Sequence, residues 1–288
     1  MAMRPAWVDQ ELFPFESRFL EVDGARVHYV DEGQGPVFFG LHGNPTWSFL
    51  YRHIIDGLKD QFRCLALDYP GFGLSTAPPG YRYTVAEHAK VVEGFVTQLG
   101  LDGITLMGQD WGGPIGMTVA LERADRVAGM VFANTWYWPA QGSLATFSVV
   151  MSSPPAQWLI LQRNAFVNFI MPRSVSTPME PAVFKTYQDA QPSPEARRGV
   201  AEFPRQIRAA RPLLEKLASN APKALAGKPL ELVWAMKDPA FGNPAVIARW
   251  QRDFPDAHVT QIATANHYIQ EDAPEALADA VRRVSARA

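Results

Sequence analysis

Short apolar runs alternate along the chain with longer segments whose apolar residues recur at helical spacing. Phe19–Asp23 and Ala25–Asp31 read as strands around Asp23-Gly24, a hairpin signal. Val37–His42 (VFFGLH) is a continuous apolar run bounded by glycines, the pattern of a strand buried on both faces. Phe62–Asp68, Ile104–Gly108 and Val127–Ala133 repeat it, and Leu230–Met236 and His258–Ala263 add two late strands. A helix is expected over Thr84–Leu99, where Val85, Val92, Phe95, Val96 and Leu99 share a face and Thr84 with Glu87 form a capping box. Gly113–Arg123, Pro244–Phe254 and Pro274–Ala286 read as further helices. Strands alternating with helices imply an α/β fold, with a mostly parallel central sheet covered on both faces.

Residues 139–228 break this rhythm. Ten prolines between 154 and 222 punctuate short helical stretches such as Gln157–Ile170 and Glu202–Ser219, with no buried strand among them. An all-helical insert between two strands of a parallel sheet reads as a lid over the carboxyl ends of the strands, where open α/β sheets bind ligands. The expected organisation is therefore a core of residues 1–138 and 229–288 with a helical cap of residues 139–228. Trp158, Leu159, Leu161, Phe166, Phe169 and Ile170 are expected mostly to pack inside the lid, with pocket lining as their other reading. Arg205, Arg208 and Arg211 read as one solvated helical face.

Composition narrows the classes. The 288 residues are 47% apolar, enough for a sizeable core, and the net charge of −2 gives no electrostatic case for nucleic acid or an anionic membrane. The single cysteine, Cys64, lies in a strand-like run and reads as a buried structural thiol. The N-terminal stretch has no apolar leader core and no run of about 18 apolar residues occurs, so a soluble cytoplasmic protein is expected. No closely spaced ligand pair such as His-x-x-x-His suggests a metal. Gly71-Phe72-Gly73 lacks the third glycine of a dinucleotide fingerprint and reads as a loop.

Leu106–Met117 (LMGQDWGGPIGM) carries the chemistry. Its glycines have the spacing of a nucleophile elbow, the sharp strand-to-helix turn that lifts a side chain to the top of the sheet, but the central residue is Asp110, not serine. The same spacing also suits a plain strand–turn–helix junction with Asp110 as N-cap. The elbow needs an acid and a base at later strand ends. Asp238 follows strand Leu230–Met236 and His267 follows strand His258–Ala263, in nucleophile–acid–base order. Backbone amides of Asn44 and Trp111 would form the oxyanion hole, and Asn44-Pro45 is a candidate cis bond. His28, His42, His53 and His88 lack such placement and read as structural.

From FPFESRFLEVDGARVHYVDEG through HGNPTWSFLYR, DYPGFGLS, GQDWGG, MKDPAF and NHYIQED, the chain resembles the haloalkane dehalogenases over nearly its whole length outside the lid. The resemblance implies hydrolysis of a neutral haloalkane by water to alcohol, halide and a proton, without cofactor. It implies that the side chains of Asn44 and Trp111 hold the halide. Asn134, after strand Val127–Ala133, is not a carboxylate, so the acid falls to Asp238, as in the subgroup with an Asp-His-Asp triad. The chemistry fits an aspartate. Saturated carbon offers no carbonyl to add to, and a carboxylate, with a pKa of roughly 3.9, attacks it at neutral pH without a base. The resulting ester needs a water activated by His267.

Rival readings share parts of this pattern. Epoxide hydrolases use the Asp elbow with two lid tyrosines, whereas Tyr187 is the only tyrosine between Trp138 and Asp238. Haloacid-cleaving relatives place Arg where Trp111 stands, and coelenterazine luciferases use a similar frame. A non-catalytic hydrolase-fold binding protein is the rival outside enzymes. Chain-length preference and oligomeric state depend on packing that no motif encodes.

Overall fold

The computed structural model describes residues 5–288. Its frame is an eight-stranded sheet in the order β1-β2-β4-β3-β5-β6-β7-β8. The strands are β1 (Arg18–Val22), β2 (Ala25–Glu32), β3 (Val37–Leu41), β4 (Arg63–Leu67), β5 (Ile104–Gln109), β6 (Val127–Ala133), β7 (Leu230–Ala235) and β8 (His258–Ile262). β1–β2 and β2–β4 pair antiparallel, and all pairs from β4 to β8 are parallel. The hairpin turn falls at Asp23 and Gly24, both at positive φ, as a two-residue turn of that kind requires.

The continuous apolar runs have a direct cause. Phe38, Met107 and Val131 enter one hydrophobic cluster while Phe39, Leu106 and Phe132 enter the other, so successive residues feed opposite faces of the sheet. On one face lie α1 (Arg52–Leu58) and the C-terminal helix Pro274–Ser285; on the other lie α2 (Val85–Gln98) and α3 (Gly112–Glu122). The capping box of α2 is present, Thr84 accepting from the Glu87 amide and Glu87 from the Thr84 amide. α1 and the 3-10 turn Ser48–Tyr51 before it had no clear sequence signal.

Between β6 and β7 run α4 (Gly142–Met151), α5 (Pro154–Arg163), a π-helical turn Phe166–Ile170, a 3-10 turn Met171–Arg173, α6 (Pro181–Asp189), α7 (Arg198–Ala209) and α8 (Arg211–Ala224). Two expected helices are each broken. Gln157–Ile170 is interrupted at Asn164, which takes the left-handed conformation (φ 50°) that asparagine tolerates. Glu202–Ser219 is interrupted at Ala210, because Pro212 fits best in the first turn of a new helix. Arg211 therefore opens α8 and shares no helix with Arg205 and Arg208, although all three are exposed. Trp158, Leu159 and Phe169, expected inside, are 53%, 43% and 54% exposed. Chain order then gives α9 (Pro244–Asp253), α10 (Ile269–Asp272) and α11 (Pro274–Ser285). Among the described residues no single helix is long and apolar enough to cross a membrane.

Candidate active site

β5 ends at Gln109, and the chain turns through Asp110 into α3. Asp110 holds φ at 51°, a strained value for a residue with a Cβ. Surrounding contacts hold it there. The Asp110 amide donates to Asn134 O (3.2 Å), and Asp110 O accepts from the Gly113 amide (3.0 Å) and the Thr135 hydroxyl (2.6 Å). Close approach explains the glycine opposite: a Cβ on Gly43 would lie 2.5 Å from Asp110 Cβ. The Asp110 carboxylate does not cap α3, whose N-cap is Trp111 without a side-chain cap bond. It accepts instead from the Asn44 amide at 2.8 Å and from the Trp111 amide. The Asn44-Pro45 bond is cis.

Asp238 sits in the loop beyond β7, 4% exposed. Its Oδ1 accepts from the amides of Ala240 (2.7 Å) and Phe241 (3.2 Å), an aspartate turn opened by Asp-Pro. Its Oδ2 accepts from Asn134 Nδ2 (2.9 Å) and meets His267 Nδ1 at 2.8 Å. His267 lies in the loop after β8, and its Nε2 stands 3.8 Å from Asp110 Oδ2. Phe241 stacks on the imidazole (centroids 6.0 Å apart) and Tyr268 meets it edge-on at 4.9 Å. The loop is pinned by Asn266 Oδ1, which accepts from the His267 amide (2.8 Å), and by Asp272 Oδ2, which accepts from the Asn266 amide (2.7 Å).

Environment drives the three pKa values apart. Burial raises that of Asp110 above the ordinary carboxylate value, although His267 and the two amides oppose the rise. Burial also pushes Asp238 upward, but the charge and hydrogen bond of His267 outweigh it, together with the Ala240 and Asn134 donors, and the pKa falls. Burial lowers that of His267, yet the adjacent Asp238 charge more than compensates and the imidazole pKa is raised.

These groups open on a cavity of about 320 Å3. Its floor is Asn44, Asp110, Trp111, Asp238 and His267; its roof is apolar, with Leu144, Phe147, Phe166, Ile170 and Ile207 from the inserted helices. Trp111 stacks on Phe203 (5.3 Å) and meets Trp136 edge-on (4.8 Å). Asn44 Nδ2 donates to Val200 O at 3.3 Å, using one of its two protons. All five residues singled out from the sequence thus come together. Of the six lid residues, Phe166 and Ile170 reach the cavity.

Three partners were missed. Asn134, which the sequence offers only as the absence of a carboxylate after β6, holds Asp238 and also bonds the Ala235 amide (2.7 Å) and carbonyl (3.0 Å). Gln109, fully buried, reaches His267, and Tyr268 donates to Asn44 O at 3.2 Å. The other histidines lie outside the cavity lining. His28 bonds Asp68 at 2.8 Å, His42 and His88 are fully buried with burial-lowered pKa values near 4 and 3, and His53 is exposed. Tyr187 donates to Glu271 beside Arg52 and does not line the cavity. Cys64 is buried, and burial pushes its thiol up to about 12.

Comparison with known proteins adds an independent line. A family model of the α/β hydrolase fold matches residues 36–274. Haloalkane dehalogenase 2 of Mycobacterium tuberculosis is 53% identical over 274 residues, covering 95% of this chain and 96% of that protein. A cis-3-alkyl-4-alkyloxetan-2-one decarboxylase of Xanthomonas campestris is 32% identical, covering 94% of this chain and 96% of that protein. Among solved structures, haloalkane dehalogenase DbeA from Bradyrhizobium elkanii superposes with a TM-score of 0.85 at 26% identity, covering 95% of this chain and all of that one (100%).

Proposed function

The chain belongs to the haloalkane dehalogenases of the α/β-hydrolase fold, and we propose that it turns neutral haloalkanes into alcohols through an ester on Asp110. The observation that carries this reading is the spacing around His267. Its Nδ1 is 2.8 Å from Asp238, while its Nε2 is 3.8 Å from Asp110, beyond hydrogen-bond reach, which supports a base that serves a step after the carboxylate has reacted.

In the first step an Asp110 oxygen attacks the carbon bearing the halogen, and the carbon–halogen pair leaves with the halide. Asn44 Nδ2 and the indole N–H of Trp111 receive that ion among aromatic rings. Burial that raises the Asp110 pKa also makes its carboxylate a poorly solvated, more reactive nucleophile. In the second step water adds to the ester carbonyl, and His267 takes its proton. The Asn44 and Trp111 amides, already on the Asp110 carboxylate, stabilise the oxyanion. Collapse expels the alkoxide, which takes the proton from His267; Asp110 ionises again and the proton reaches solvent. Asp238 holds the imidazole in the Nδ1–H form and stabilises the imidazolium. Residues 139–228 act as the cap that keeps the site apolar.

A single turnover in 18O-water tests the reading. The alcohol oxygen should come from Asp110, leaving the label in its carboxyl; label in the first-turnover alcohol would overturn it. The Tyr187 hydroxyl, committed to Glu271, offers no acid for opening an epoxide in this cavity.

A further inference from the structure

Gln109, the last residue of β5, is fully buried and precedes Asp110 in the elbow. Its Nε2 lies 3.0 Å from His267 O and 3.2 Å from His267 Nε2. The carbonyl decides which way the amide points. A backbone oxygen only accepts, so the group facing it must be the NH2; the reversed amide would press two oxygens together. Oε1 accordingly faces away and finds no protein partner. With one proton on His267 O, the second proton of the same NH2 is directed at His267 Nε2.

We propose that Gln109 is a positioning residue that keeps Nε2 of His267 unprotonated and makes the imidazolium short-lived. Asp238 fixes the proton on Nδ1 from the far side of the ring, which leaves Nε2 as a bare acceptor for Gln109. Water displaces the Gln109 N–H from the single lone pair of Nε2 as it gives up its proton, and the resulting Nε2–H then faces the N–H of Gln109 in a repulsive contact. The proton is thereby driven on to the departing alkoxide. Two carboxylates act in the opposite sense: Asp238 on Nδ1 and Asp110, 3.8 Å from Nε2, both favour the charged ring. Tyr268, the remaining titratable neighbour, donates its hydroxyl to Asn44 O and stays protonated, since burial raises its pKa well above 10. Esterification of Asp110 removes one carboxylate charge, so in the intermediate the balance tips further towards the free base.

This inference rests on His267 being the base of the proposed reaction. The sign of its effect is definite. Ester hydrolysis needs neutral imidazole, so its rate is full above the pKa of His267 and falls as pH drops through it. Losing an N–H that opposes protonation raises that pKa. In Gln109→Leu and Gln109→Met the acid limb of single-turnover ester hydrolysis, and the His267 titration followed by 15N NMR, should move up by about half to one pH unit. Carbon–halogen cleavage, which needs no base, should keep its pH profile. A loosened elbow would slow both steps without raising the pKa. The unsubstituted enzyme supplies a second test. Above the pKa, a through-hydrogen-bond N–N coupling should join Gln109 Nε2 to His267 Nε2 and vanish on acidification. An unmoved or lowered His267 pKa in the variants, or no such coupling, would overturn the proposal. Absence of an alkyl ester in His267→Phe would instead overturn the covalent step of the proposed reaction, on which the NMR titration does not depend.

Discussion

The floor and the roof of the cavity are built on different principles. Every polar group of the floor sits within a few residues of a strand end, and the carboxylates of Asp110 and Asp238 are oriented by backbone amides. Asn44 follows β3, Asp110 and Trp111 follow β5, Asp238 follows β7 and His267 follows β8, while Asn134, which holds Asp238 from outside the cavity lining, follows β6. The roof comes from α4, the Phe166–Ile170 turn and α7, and its cavity-facing side chains are held by packing. The strand ends thus fix where the polar groups stand, while the inserted helices shape the apolar space above them.

Substitutions should separate the two regions. Asp110→Ala should remove halide release altogether while leaving the far-ultraviolet circular dichroism unchanged; retained activity would take the nucleophile out of the floor. Asn44→Ala and Trp111→Leu come next, each removing a donor to charge that develops as halide leaves, worth about 10²–10³ in rate. Rapid-quench measurement of the first turnover reads that loss, and halide-dependent quenching of tryptophan fluorescence should weaken in Trp111→Leu. Asn134→Ala should cost about 1–3 kcal/mol of stability in urea denaturation, because it strips partners from Asp238 and from both backbone groups of Ala235. The smallest effect belongs to the outside of the roof. Trp158→Ser and Phe169→Ser, at sites more than half exposed, should change stability by no more than about 0.5 kcal/mol and leave halide release intact. A large loss of activity there would mean that the insertion carries chemistry as well as shape.

The same contrast governs what the sequence discloses. Strands β3 to β6 were legible because double-sided burial writes itself as a near-continuous apolar run, a signal that the edge strand β8, with no fully buried residue, does not carry. Asp110, Asp238 and His267 followed from the order of strand ends. The insertion was legible only as helical. Its breaks at Asn164 and Ala210 depend on local backbone chemistry, and the exposure of Trp158 depends on which neighbour a helix face meets. An apolar side chain on a helix does not say whether that neighbour is core, cavity or solvent. Asn134 and Gln109 escaped for another reason. A neutral amide carries no signature of its own, and its role emerges only once the fold places it beside an ionisable partner.

In the proposed mechanism a carboxylate attacks first and the histidine acts only afterwards. Replacing His267 by Phe and mixing the variant with excess 1-bromohexane tests it most directly. Asp110 should still displace bromide, releasing at most about one equivalent per active site before stopping. Intact mass should then rise by one hexyl group, and digestion should place it on the peptide bearing Asp110. Finding neither burst nor adduct with substrate bound would mean that water attacks the haloalkane directly, and would contradict the account.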